Sequence, residues 1–307
     1  MTTALISHSV CVQHEISPGH PECPERIAAI ADQLKQQGLY EQLVHCEAPL
    51  ADVNHVLLAH PQSYVDLLRN SSPSTGSVQL DADTSMNPFS LDAALRGAGA
   101  GVLAVDQVMT GKVNNAFCLV RPPGHHAERR EAMGFCFFGN VAIAAKHAIK
   151  SHGLDRVAIV DFDVHHGNGT EDIVEGDASI LFCSSFEHPL YPGGFRPNIE
   201  NQRVNVPLPS ATGSAEFRAA ITDTWLPALE SFSPQIIIVS AGFDAHAHDP
   251  LANLQLQDED YVWITQQIID IASRHSDGRI VSMLEGGYDL PALGRCGAAH
   301  IKELMNA

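Results

Sequence analysis

The chain has 307 residues, of which 45% are hydrophobic and 18% charged, as in an ordinary soluble globular protein. Its formal net charge is -18 at pH 7. Such a field repels phosphate backbones and attracts cations, so it argues against nucleic acid as a partner and suits an amine-bearing substrate, although good solubility alone would also explain it. No apolar run is long enough to span a membrane and no secretory signal opens the chain, so we expect a cytoplasmic protein without a membrane partner.

Short apolar runs bounded by turn residues recur along the chain and predict strands that are buried on both faces. They are Ala116–Val120, Val157–Val160, Ile180–Cys183, Ile236–Val239 and Ile280–Leu284. Helical patterns lie between several of them, at Asn140–Ser151, Ser214–Leu229 and Asp258–Ser273. Because strands and helices alternate, we predict an α/β fold with a parallel sheet and a single domain over residues 1–307.

Four of these strands are each followed by glycines and by residues that can carry chemistry. The segments are RPPGHH at 121–126, DFDVHHGNG at 161–169, SAGFD at 240–244 and EGGY at 285–288. Ligand sites in open α/β sheets lie at the carboxyl ends of the strands. The four segments therefore predict one shared crevice.

A metal site is predicted within this crevice. Asp163 and His165 are two residues apart, so on an extended segment their side chains point to the same side. Asp244, at another strand end, is the best candidate for a third ligand. Three protein ligands leave a coordination position open for water, which is typical of catalytic rather than structural zinc. The seven cysteines form no CxxC pair, so a thiolate site is not indicated.

The tandem His125-His126 can supply the proton transfers that amide hydrolysis requires. Asp161 could pair with one of the two imidazoles and Asn168 could orient the other. The Tyr288 hydroxyl could donate to the oxyanion as the carbonyl becomes tetrahedral. Most of the 17 histidines are expected to have ordinary structural roles, including His45, His55, His60, His147, His152 and His275.

Together with HPECPER at 20–26, MGFCFFGN at 133–140 and GFDAHAHDPL at 242–251, these segments resemble the histone deacetylase and acetylpolyamine amidohydrolase superfamily, on the side of the class II deacetylases and their bacterial relatives. The resemblance implies a single-domain arginase-deacetylase fold, with a parallel sheet of about eight strands flanked by helices. It also implies a zinc-dependent amidohydrolase that removes acetyl or other acyl groups from lysine side chains or similar amines and releases a carboxylate.

The resemblance assigns roles to the site residues. It implies that zinc is bound by Asp163, His165 and Asp244. By position, His126 is the general base and acid, with Asn168 behind it. His125 is its electrostatic partner, held by Asp161, and Tyr288 polarises the carbonyl.

A substrate channel and a second cation also follow from the resemblance. Phe135 and Tyr191 match the aromatic walls of the channel, which Gly134 and Leu251 also line. Potassium is expected beneath the zinc, with ligands from the Asp161 carboxylate, the Ser184 hydroxyl and the backbone carbonyls of Asp163, His165 and Ser185.

Two departures bear on the substrate. Leu251 stands where polyamine-selective members have an acidic residue, and His246 stands where manganese arginases have a second bridging aspartate. The alternatives are an acetylpolyamine amidohydrolase, an arginase-like ureohydrolase and a silent acyl-lysine binder. The sequence leaves open the natural substrate, the acyl-chain preference, the oligomeric state, a homo-oligomer included, and the rim residues, for which Asp83 is the candidate.

Overall fold

The computed structural model describes residues 2–307. Its strands are β1 (Thr3–Ser7), β2 (Val44–Glu47), β3 (Val78–Gln79), β4 (Ser85–Met86), β5 (Asn115–Cys118), β6 (Val157–Asp161), β7 (Ile180–Glu187), β8 (Arg203–Leu208), β9 (Ile236–Ala241) and β10 (Ile280–Leu284). Eight of them form one parallel sheet in the order β2-β1-β5-β10-β9-β6-β7-β8, and β3 pairs antiparallel with β4. The predicted α/β fold is confirmed.

Helices cover both faces of the sheet. They are α1 (Glu25–Gln36), α2 (Val53–Val56), α3 (Gln62–Ser71), α4 (Ser90–Met109), α5 (Asn140–His152), α6 (Asn168–Val174), α7 (Ser214–Phe232), α8 (Asp258–His275) and α9 (Leu290–Asn306). Gly153 follows α5 with φ 67°, a left-handed conformation that favours glycine and ends the helix. Among the described residues, no helix combines the length and apolarity needed to cross a bilayer.

The core consists of two layers, one on each face of the sheet. Along β6, Val157 and Ile159 belong to the layer beneath α4 and α5, whereas Ala158 and Val160 belong to the layer beneath α1, α7, α8 and α9. This alternation follows from the period of two of an extended strand. Since both layers are apolar, the central strands are apolar at most positions, as the sequence predicted.

The strands differ from the prediction in several places. The strand β5 was predicted as Ala116–Val120 but spans Asn115–Cys118, and β1 and β8 were not predicted. Two further differences have physical reasons. The prediction for β7 ended at Cys183, but the strand continues through Ser184 and Ser185 to Glu187 because β8 pairs with that half. The edge strand β2 was not predicted, because its side chains are largely exposed and form no apolar run.

The sheet order explains where a site can form. The strands β5, β10, β9 and β6 are neighbours, and they are the four strands that precede the glycine-rich segments. The register places Asp161 opposite Ser240 and Leu284 opposite Ala241, so these strands end at the same level. The four loops therefore meet at one edge of the sheet.

Candidate active site

Three predicted metal ligands converge at the carboxyl edge of the sheet. Asp163 and His165 lie in the loop after β6, and Asp244 lies in the loop after β9. His165 Nδ1 lies 3.2 Å from Asp163 Oδ1 and 3.0 Å from Asp244 Oδ2, and all three side chains are buried. Ligand atoms of a tetrahedral zinc ion are spaced by roughly 3.3–3.5 Å. The ligand atoms of these three side chains therefore need to move apart only slightly to surround a small divalent cation.

Backbone groups hold the two carboxylates in place. The Gly286 amide donates to Asp163 Oδ2 at 2.7 Å, and the Val164 amide donates to Asp244 Oδ1 at 2.8 Å. A Cβ atom at Gly242 would lie 2.1 Å from Asp163 Oδ2, and one at Gly286 would lie 2.1 Å from Asp244 Oδ2. Any side chain at either position would push a carboxylate away, so glycine is required at both.

The charges of the cluster suit a bound cation. Burial and the neighbouring Asp163 carboxylate raise the pKa of Asp244 to about 7. Burial alone would lower the pKa of His165, but its hydrogen bonds with Asp163 and Asp244 outweigh burial and raise it to about 10. Two buried acids thus hold a proton on the imidazole between them. A divalent cation satisfies the same demand for positive charge, so the donor set fits zinc.

The two adjacent histidines differ in the group behind each ring. His125 Nδ1 lies 3.0 Å from Asp161 Oδ2, whereas His126 Nδ1 lies 2.8 Å from Asn168 Oδ1. For His125, burial would lower the pKa, but the Asp163 and Asp161 carboxylates raise it well above its ordinary value. For His126, burial and the neighbouring His125 lower the pKa well below its ordinary value. The surroundings therefore favour the cationic form of His125 and the neutral form of His126.

A further side chain fixes the amide behind His126. Asn168 Nδ2 donates to Glu128 Oε1 at 2.8 Å. Because the Asn168 amide nitrogen Nδ2 donates in this bond, its oxygen Oδ1 accepts a hydrogen bond from His126 Nδ1. A neutral imidazole carries one proton, so when that proton is on Nδ1 the Nε2 atom of His126 carries none. Sequence analysis did not single out Glu128, although it lies two residues after His126 and a carboxylate so close to a catalytic imidazole is a usable signal.

A cavity of about 240 Å³ leads from the surface to this cluster. Predicted channel residues line it together with members of the cluster: Asp83, His126, Gly134, Phe135, His165, Leu190, Tyr191, Leu251 and Tyr288. The Phe135 and Tyr288 rings pack edge to face with centroids 6.1 Å apart, and the Tyr191 ring packs in the same way against His126 at 5.1 Å. The cavity is therefore a narrow, mostly aromatic passage.

The segment that carries Phe135 has an unusual backbone. Gly134 and Phe135 both have positive φ, 56° and 67°. A Cβ atom at Gly134 would lie 2.4 Å from the His126 ring. Asp83 Oδ1 accepts from the Gly134 amide at 3.0 Å, and Thr84 Oγ1 accepts from the Phe135 amide at 3.0 Å. Asp83, the candidate rim residue, thus lies on the cavity and supports one of its walls.

The remaining predicted residues lie around the cluster. Asp161 is the register partner of Ser184 in β7, and the Ser184 hydroxyl lies 3.1 Å from His166 Nδ1. Ser185 is the next residue and is buried. His246 is not in the cluster, because its Nε2 lies 2.9 Å from Asp258 Oδ1, away from the cavity.

Buried charges behind the loops were missed by sequence analysis. Glu285 Oε2 accepts from the Gly124 amide at 2.6 Å and the His125 amide at 3.1 Å, and burial raises the pKa of Glu285 to about 7. Arg121 Nη2 donates to Glu22 Oε2 at 2.6 Å. These residues lie in the quoted segments, but their role of joining loops is visible only in three dimensions.

Comparison with known proteins gives a consistent result. The histone deacetylase domain family matches residues 20–304. A probable deacetylase of Archaeoglobus fulgidus is 38% identical over 94% of this chain and 82% of its own length. A histone deacetylase-like amidohydrolase of Pseudomonas aeruginosa is 39% identical over 95% of this chain and 79% of its own length. The human polyamine deacetylase HDAC10 is 36% identical over 99% of this chain, which spans 48% of that protein.

The fold also has a solved counterpart. The crystal structure of the HDA15 HD domain superimposes with a TM-score of 0.92 and 34% sequence identity, covering 99% of this chain and 90% of that one.

Proposed function

Because the chain belongs to the histone deacetylase family and is a hydrolytic deacetylase, we propose that it removes acetyl groups from lysine side chains or similar amines with one zinc ion. Asp163, His165 and Asp244 would hold that ion. The observation that carries the proposal is the convergence of these three side chains beside a histidine pair, at the inner end of an aromatic passage. The whole chain, residues 1–307, is proposed as one catalytic domain.

A bound zinc ion would polarise the acyl carbonyl and lower the pKa of the attacking water. His126 then acts as the general base. Because its Nδ1–H is held by Asn168, the unprotonated Nε2 is the atom that takes the proton from water. The lowered pKa keeps His126 neutral and ready to accept. The same nitrogen afterwards passes the proton to the departing amine, and a carboxylate is released.

Two other residues stabilise the negative charge that develops on the carbonyl oxygen. Tyr288 lines the cavity and donates its hydroxyl proton in a hydrogen bond. Its pKa is raised well above the ordinary value by burial, so the hydroxyl stays protonated. His125, kept cationic by Asp163 and Asp161, adds fixed positive charge next to His126.

The channel supports an acylated amine with a long apolar stem as the substrate. Phe135 and Tyr191 offer aromatic faces for its methylene groups. Because the scissile amide is neutral, the net charge of -18 attracts only positive charge elsewhere on the substrate. Leu251 brings no carboxylate to the rim, which favours an acetyl-lysine side chain over an acetylated polyamine. Relatives are named both as amidohydrolase and as polyamine deacetylase, so the choice is made by this rim residue.

A potassium ion is proposed beneath the zinc. Asp161 and Ser184 are buried register partners on neighbouring strands and would supply the carboxylate and hydroxyl ligands, with the backbone of Asp163, His165 and Ser185. A cytoplasmic location is also proposed, since all seven cysteines are free in the structure, as expected in a reducing compartment.

The test is an activity screen with zinc quantified in the same preparation. Acetyl-lysine peptides, acetylated polyamines and peptides with longer acyl groups are compared by kcat/KM. We expect acetyl-lysine peptides to be the best substrates, and Leu251→Glu to shift the preference toward the cationic polyamines. Turnover of none of these amides by the zinc-loaded enzyme contradicts the proposal.

A further inference from the structure

We propose that Asp106, His147 and His152 form a second divalent-metal site, suited to zinc. Asp106 lies in the last turn of α4, and both histidines lie in the second half of α5. Because α5 leads into the start of β6, its end lies at the edge of the sheet opposite to the active site. The site is therefore separate from the catalytic residues.

The three donors are already gathered around one point. Asp106 Oδ1 lies 2.8 Å from His147 Nε2 and 2.7 Å from His152 Nε2. The corresponding distances in the active site are 3.2 and 3.0 Å. A tetrahedral zinc ion spaces its ligand atoms by roughly 3.3–3.5 Å, so the donors need to open by about half an ångström.

The second nitrogen of His147 supports the role of a metal ligand. His147 Nδ1 lies 3.2 Å from the Ser151 hydroxyl, whose oxygen can accept a hydrogen bond from the ring N–H. Metal-binding histidines commonly donate their other ring N–H in this way, and the bond leaves the Nε2 lone pair free. His55 adds a third imidazole, whose ring packs edge to face on His147 at 4.9 Å and whose buried Nδ1 has no hydrogen-bond partner.

A second group of three donor atoms differs from this cluster, because an arginine already occupies its carboxylate. His246, Asp258 and Cys296 also bring three donor atoms together, but Arg295 donates to both oxygens of the Asp258 carboxylate, at 2.7 and 3.2 Å. That carboxylate is already neutralised. The hydrogen-bond partners found for the Asp106 carboxylate are the imidazoles of His147 and His152, whose ring nitrogens are themselves metal-binding atoms.

The site is open to solvent on the carboxylate side. The Asp106 side chain is 47% exposed and that of His152 is 19% exposed, while His147 is 5% exposed. An ion can therefore enter directly, and water can complete its coordination. Since the ligands come from two helices, the bound ion would link the ends of α4 and α5.

The experiment is a zinc count per chain at equilibrium with a zinc buffer in the micromolar range. The wild-type chain is compared with Asp106→Asn and His152→Gln. His275→Gln is the matched control, because His275 is also the last residue of its helix, is 19% exposed and pairs with one carboxylate, that of Glu230, at 3.0 Å. Deacetylase activity is measured in parallel.

We expect two zinc ions per chain in the wild-type protein and in the control, and one in each of the other variants. The affinity of the second ion should fall by roughly tenfold or more in both, with kcat/KM unchanged. A single zinc ion in the wild-type chain overturns the proposal, as does a second ion that His152→Gln and Asp106→Asn both retain. Circular dichroism shows whether each variant is folded. If Asp106→Asn fails to fold, His152→Gln alone decides.

Discussion

The two clusters that gather carboxylates and imidazoles differ in composition and in burial. The active site combines two carboxylates with one imidazole and is buried, whereas the second cluster combines one carboxylate with two imidazoles and is partly exposed. With a divalent ion, the first becomes neutral and the second keeps one positive charge. A buried site must balance its charge because desolvating a net charge is costly, but an exposed site need not.

The means of support differ as well. Backbone amides and two glycines fix the carboxylates of the active site, while the second cluster is held mainly by contacts between side chains. We therefore expect the buried cluster to bind zinc tightly and rigidly, and the exposed cluster to exchange it more easily.

The largest effect is expected from losing a ligand of the buried cluster. In a His152→Gln background, which removes the second site, Asp244→Ala should leave the chain without tightly bound zinc. Turnover should fall by roughly 10³-fold or more, since several kcal/mol of charge stabilisation is lost. Metal analysis and kcat/KM on one acetyl-lysine peptide provide the measurement. Retention of the ion by this double variant would show that the proposed ligands are wrong.

Tyr288→Phe should have the next largest effect. The change keeps the ring that packs on Phe135 and removes only the donor, so kcat should fall by roughly 10²–10³-fold while the zinc content is unchanged. Steady-state kinetics on the zinc-loaded variant measure this. An unaltered kcat would remove Tyr288 from the mechanism.

A smaller effect is expected from changing Asn168, whose side-chain amide is hydrogen-bonded to His126, and it concerns the pH dependence of kcat/KM. In the double variant Asn168→Asp/Glu128→Gln, the new carboxylate favours the protonated form of His126 and raises its pKa. Because the base must be deprotonated, the acidic limb of kcat/KM should move to higher pH, by roughly one unit. Glu128→Gln alone is the control and should not move that limb upward. A double variant with the wild-type profile would mean that His126 is not the base.

The smallest effect concerns stability. Zinc at one hundred times its dissociation constant stabilises a folded protein by about 2.7 kcal/mol, which corresponds to a rise of about 4 °C in Tm for a chain of this size. We expect this rise when zinc is added to the protein with a filled active site, and its loss in His152→Gln. Calorimetry measures it. An equal rise in both proteins would place the stabilising ion elsewhere.

The central sheet was predictable where strands are buried on both faces. The strand Ile280–Leu284 was predicted with its observed ends, because a charged residue lies on each side of this mostly apolar run. The edge strand β2 lacks such a run, and β7 continues through serines that only its pairing with β8 explains. Apolar periodicity reports burial, so strands that are exposed or polar escape it. The buried strand β1 was also missed, although its residues are largely apolar.

The geometric core of the active site was also predictable, because its residues lie at strand ends in glycine-rich segments. The residues alone left the pairing of the two histidines open, since Asp161 and Asn168 could each serve either ring. The family resemblance implied Asp161 for His125 and Asn168 for His126, and these are the hydrogen-bonded pairs in the structure. The second cluster was not predicted. His147 and His152 were expected to have ordinary roles, since their spacing in a helix forms no recognised motif and Asp106 is distant in sequence.

The most direct test is zinc reconstitution of the metal-free enzyme with the His152→Gln variant, followed by acetate release. We predict no activity without zinc, a linear return of activity, and a plateau at one equivalent. Adding Asp244→Ala should prevent recovery at any zinc concentration. Full activity of the metal-free chain, or recovery by the variant that lacks Asp244, would contradict the assignment of catalysis to an ion held by Asp163, His165 and Asp244.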